Sequence, residues 1–139
     1  MTTRAARPAA DPQTALRRAL LLDALASGAA GLLLLVAAGP LDGVLGLPTA
    51  LLRWAGAVLV PFAAGLVYLA RRPRVSARAA WAVVVVNVLW AVDSALLLAT
   101  GWVAPTAFGT AFVLAQAALV AAFAYAEHAA LRRSALAAG

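Results

Sequence analysis

The sequence predicts an all-α, polytopic membrane protein: a four-transmembrane-helix up-down bundle with both termini cytoplasmic. Three observations predict it. Of 139 residues, 65% are hydrophobic and 12% charged, whereas soluble domains average about 45–50% apolar and about 25% charged. A water-soluble fold of this size would have too little polar surface to cover itself. The apolar residues fall into four runs, each near the roughly 20 residues that cross a bilayer at about 1.5 Å per residue. Of the 11 basic residues, all Arg, ten stand in clusters flanking alternate runs, which is the charge layout of a threaded helical protein.

The elements follow in order. Residues 1–15 make a Pro- and Ala-rich tail, expected to be disordered in the cytoplasm. The first span is placed at 16–38. Its basic flank and its Ala37-Ala38-Gly39 end resemble a signal peptide. The apolar stretch nevertheless exceeds the usual length of about 7–15 residues, so a retained signal anchor is expected. Gly39-Pro40-Leu41-Asp42-Gly43 breaks the chain, and Pro48 suits the start of a second span at 50–70. Arg71-Arg72-Pro73-Arg74 ends it. A third span is placed at 79–99, a turn at Gly101 and Pro105, and a fourth span at 104–126. Residues 16–126 thus form the membrane domain, and 127–139 a cytoplasmic tail in which Glu127 and His128 are solvated beside Arg132 and Arg133. Short turns imply antiparallel neighbours.

Loop charge sets the direction. The N-terminal tail with the first residues of the first span, the second turn and the C-terminal tail hold ten of the 11 Arg; the exception is Arg53, inside the second span. Both termini are therefore expected in the cytoplasm, with the Arg clusters holding anionic lipid. Trp54 and Trp102 fall near the outer boundary and Trp81 and Tyr125 near the inner one, as an aromatic belt does. The use of Arg and Ala without Lys suggests a bacterial, high-GC coding bias, hence a bacterial inner membrane. Basic clusters beside apolar runs are not a nucleic-acid groove with interleaved aromatics, so no nucleic-acid partner is expected. With no Cys and one His, thiolate chemistry is excluded and no metal site is expected.

Chemistry, if present, lies with polar residues inside the spans. An ionisable group there costs roughly 2.5–3.5 kcal/mol on insertion scales and normally faces protein or water with a partner. Asp23 shares a face of the first span with Ser27 and Gly31, and Tyr68 is its candidate donor. Asp93 and Arg53, both outward of centre, form the preferred charge pair. Asn87, near the midplane, shares a face with Trp90 and Ser94, and Gln116 shares one with Gly109. An Asn87–Gln116 bond across the bundle is the simplest use of both. Polar residues of this kind also serve simply as fasteners between helices, at about 0.6 kcal/mol each. Nothing resembles a phosphate loop, a metal-binding helix or a nucleophile elbow, and no catalytic residue is assigned.

A Gly-rich first span ending in Pro40, then Leu45-Gly46-Leu47-Pro48, then Leu52-Arg53 and Gly56, resembles the DoxX-like group of small four-helix bacterial membrane proteins. The likeness covers residues 25–70, and Arg53 and Gly56 match recurring positions of the group. Some members are linked to quinone-dependent oxidoreductases, so the resemblance admits quinone as a cofactor. Small multidrug transporters also have four spans and an acidic residue in the first, as Asp23 is here, but they use Glu and show weak loop-charge bias. The expected function is a non-catalytic bundle that binds a partner protein, another copy of itself or lipid. The alternatives are a membrane subunit of a quinone-linked redox or lipid-modifying enzyme, and a small oligomeric proton-coupled transporter.

Overall fold

The computed structural model describes Asp11 and residues 13–138, the side chains of 137 and 138 aside. It is all-helical among these residues: α1 (Thr14–Val36), α2 (Ala38–Leu45), α3 (Thr49–Arg71), α4 (Ala77–Ala99) and α5 (Ala107–Ala138). Four of the five are long and apolar enough to cross a membrane. Their outward faces carry Leu22, Leu25, Leu32, Val85, Leu89 and Leu96, all at least half exposed. A soluble chain would bury such residues; a bilayer solvates them.

The structure corrects three boundaries. The turn expected at Gly39–Gly43 is itself helical, forming α2. Pro40 occupies its first turn, where a missing N–H costs little. Ala37, with φ −109° and ψ 18°, is the break between α1 and α2. The second correction is at the C-terminus. The segment 127–139 was expected to be a tail, yet α5 runs on to Ala138. Ala and Leu there favour helix, and Ala130 and Leu131 are buried against α1 and α4, so packing holds the extension. Of the tail expected at 1–15, residues 1–10 and 12 lie outside the described residues, and α1 already begins at Thr14.

The long helices alternate in direction, so Arg17, Arg18, Arg71, Arg72, Arg74, Arg78, Arg132 and Arg133 gather at one end. α2 lies at the other. α1 is the spine: it packs on α3 along its length and also on α5, while α4 packs on α5. The seat of α3 on α1 depends on two glycines. A Cβ on Gly56 would stand 2.6 Å from the Gly31 carbonyl oxygen, and one on Gly31 would meet Leu59 at 2.9 Å. Small residues here let two backbones touch. α3 and α4, joined by a short turn, do not pack extensively on each other. The bundle is therefore open along that side.

Two apolar clusters fill the interior. One, at the arginine end, gathers Leu16 and Leu20 with Leu66, Val75, Val83 and Leu131. The other, at the α2 end, gathers Leu34 and Leu45 with Leu47, Leu52, Leu59 and Val113. Both ends are tied by polar groups. Arg17 donates from Nη1 to the carbonyls of Ala70 and Arg72, and from Nη2 to that of Pro73, at 2.6–2.7 Å. Gln13 bonds both backbone groups of Val75 at 3.1 Å. At the opposite end Asp42 accepts from the Thr49 N–H at 2.9 Å and its hydroxyl at 2.7 Å, capping α3. Thr106 caps α5 by accepting from Gly109 N–H, and donates to the Val44 carbonyl at 2.7 Å. Gly109 lies flush on the Leu45 backbone, with no room for a Cβ. α2 is thereby held as a lid over α3 and α5.

Candidate functional site

Two polar groupings lie inside the bundle. The first joins three helices. Asn87 of α4 donates from its amide nitrogen to Asp23 Oδ2 of α1 at 2.7 Å and to Glu127 Oε2 of α5 at 3.0 Å. Ser27, one turn along α1 from Asp23, donates to its Oδ1 at 2.8 Å. Asp23 and Glu127 are 0% exposed, Asn87 3% and Ser27 7%. Glu127 Oε1 is buried with no hydrogen-bond partner. Helical spacing explains the convergence on α1, because residues four apart share a face. On α5, a long side chain leaning toward the helix N-terminus reaches back into the bundle.

The second grouping lines a pocket between α3 and α4, where those helices part. Its volume is about 320 Å³. The floor is Ala30 and Leu34 of α1 with Phe112 and Val113 of α5. The sides are Leu51, Ala55 and Leu59 on α3, and Trp90 and Leu97 on α4. One corner is polar: Trp90 Nε1 donates to Gln116 Oε1 at 2.9 Å, and Gln116 Nε2 donates to Ser94 Oγ at 2.9 Å and the Val113 carbonyl at 3.0 Å. Ser94 Oγ in turn donates to the Trp90 carbonyl at 2.7 Å. Every N–H and O–H donor of these three side chains is thus spent within the corner. Leu47 and Leu52 also line it, as do Trp54 and Asp93, both exposed.

The expected pairings fare unevenly. Asp23 is buried, and its donors are Asn87 and Ser27 in place of Tyr68. Tyr68 instead points away, 65% exposed, and accepts from Arg72 at 3.0 Å. Asn87 bonds Asp23 and Glu127 in place of Gln116, which bonds Trp90 and Ser94. A long indole from one turn further along α4 reaches Gln116 first. Arg53 and Asp93 are both exposed and share no hydrogen bond; Asp93 faces the pocket, and Arg53 is not in its lining. Glu127, expected to be solvated, is fully buried because α5 does not end at 126. His128 is half-buried, set edge-on to Trp81 with ring centres 5.1 Å apart.

Glu127 is the functional candidate that sequence reasoning missed. The signal was its spacing: Ala124, Glu127 and Leu131 fall on one face at intervals of three and four, and all three are buried. Among the described residues no group of three or more His, Cys, Asp or Glu is placed to hold a metal ion. Comparison with protein-family models, curated proteins and solved structures finds no match to the chain.

Proposed function

We propose that this small membrane protein is a non-catalytic bundle that binds a lipid, taking one acyl chain into the pocket between α3 and α4. The pocket carries the reading. Its volume of about 320 Å³ is at the lower end of the roughly 300–1,000 Å³ common to small-molecule sites. It opens between two helices on the lipid-facing flank, so a chain enters sideways from the bilayer without crossing water. Outside the polar corner its walls are Leu, Ala, Val, Phe and Trp, with Asp93 the one charged residue in the lining. The polar corner favours a hydrocarbon occupant, since Trp90, Gln116 and Ser94 have already used their donors on one another. A quinone carbonyl set in that corner would find no free donor and would be left an unpaired acceptor.

The bilayer reading extends to the arginines. Both termini lie in the cytoplasm of a bacterial cell, with the arginine end of the bundle at the inner surface of the inner membrane, where it holds anionic headgroups. Arg53, exposed near the opposite end of α3, then extends its guanidinium to the outer interface. The DoxX-like resemblance supports the same reading, because Gly56, one of its recurring positions, seats α3 on α1 and so sets the pocket wall.

The reading is tested by purifying the protein in mild detergent and measuring bound lipid by native mass spectrometry. One retained lipid per chain is expected. Ala55→Phe, which fills the pocket from α3, is expected to fold and to lose it. Equal retention by the two proteins would remove the pocket from the account.

A further inference from the structure

We propose that Asp23, Ser27, Asn87 and Glu127 form an intramembrane binding site for one small monovalent cation, a proton or sodium. None of the four lines the α3–α4 pocket, so this site stands independently of the lipid reading.

Charge is the first argument. Asp23 and Glu127 both lie at 0% exposure, side by side on the one Asn87 amide that bridges them. That amide is neutral. Two carboxylates in so dry a place require a compensating positive charge, and the surrounding helices supply none. α1 brings only Asp23 and the Ser27 hydroxyl, and α4 only Asn87. α5 brings Glu127, while the neighbouring His128 is turned onto Trp81. α3, behind α1, brings Ala63 and Leu66. Arg17 is committed to the carbonyls ending α3, and Arg18, Arg78, Arg132 and Arg133 are exposed.

The second argument is independent of charge. Glu127 Oε1 is buried and has no hydrogen-bond partner, whereas both oxygens of Asp23 and the other oxygen of Glu127 accept one. A buried acceptor left unmade is costly. It marks where the missing proton or ion belongs. The ligand set is all oxygen: two carboxylates and a hydroxyl, suited to a proton or a hard cation and to nothing softer. Its members come from α1, α4 and α5, so occupancy bears on how those helices sit together.

The two cations are distinguished in the full-length protein reconstituted in lipid nanodiscs. For sodium, the melting midpoint is followed as sodium replaces choline at constant ionic strength. Once sodium exceeds its dissociation constant, a bound ion raises it by a near-constant increment per tenfold rise in sodium. For a proton, the infrared spectrum at neutral pH shows the C=O stretch of a protonated carboxyl, whatever the sodium concentration. Either signal supports the site, provided Glu127→Gln abolishes it; Asp23→Asn serves as the second variant should that one fail to fold. Absence of both signals in the unmodified protein, or survival of the signal in a folded variant, overturns the proposal.

Discussion

At the residue scale, one arginine ties two helices together. Arg17 spends its guanidinium on three carbonyls at the end of α3, which have no intrahelical partners of their own. Arg17→Ala is expected to lower stability by about 1–2 kcal/mol, the loss of several charge-assisted bonds partly replaced by water. Lys at this position should restore less than half, because an ammonium cannot span three acceptors as a planar fork does. Denaturation in micelles followed by circular dichroism measures both. The sequence displays Arg17 only as one member of a basic cluster; its partners lie more than 50 positions away, and no local pattern reveals them. Asp23, Asn87 and Gln116 were legible as intramembrane polar residues because the cost of burying them makes each conspicuous in an apolar run. Their partners were not, since pairing depends on helix rotation and on side-chain length, as Trp90 reaching Gln116 illustrates.

At the element scale, the four long helices were legible because length and hydropathy dictate them. α2 was hidden, as eight residues carrying two glycines and a proline read as a turn. The end of α5 was hidden as well. Glu127 breaks the apolar run at 127, and only its burial against Asn87 shows that the helix continues as part of the bundle. The α1–α3 seam gives a graded expectation. Gly56→Ala drives a methyl into the Gly31 carbonyl, so the helices must separate, at a cost of about 1–3 kcal/mol typical of overpacking. Gly28→Ala, whose new methyl would meet Ala63 at an ordinary 3.4 Å, should be neutral or slightly stabilising. Thermal unfolding of the two variants side by side separates these outcomes; equal effects would mean that the seam is not a close backbone contact. At the lid, Asp42→Ala removes two bonds to Thr49 and is expected to cost about 1 kcal/mol, as the loss of a helix cap does.

At the scale of the whole molecule, a central α1 carries α3 on one side and the α4–α5 pair on the other, with polar ties at both ends and an opening between α3 and α4. Loop charge proposes a direction of threading from sequence, whereas the opening depends on which helices touch and was invisible there. A reporter fused after Gly139 is expected to be active only when designed for the cytoplasm; periplasmic activity would reverse the proposed orientation. The lipid reading rests on the opening, and Trp90 reports on it from within, being half-buried in the pocket wall. The most direct measurement uses a variant with Trp54, Trp81 and Trp102 changed to Phe, leaving Trp90 as the only indole, titrated in detergent micelles with a lipid brominated on its acyl chain. The account expects quenching that saturates at one lipid per chain and disappears when Ala55→Phe is added. Quenching that is absent, or that rises without saturation and ignores Ala55→Phe, would contradict a bound acyl chain.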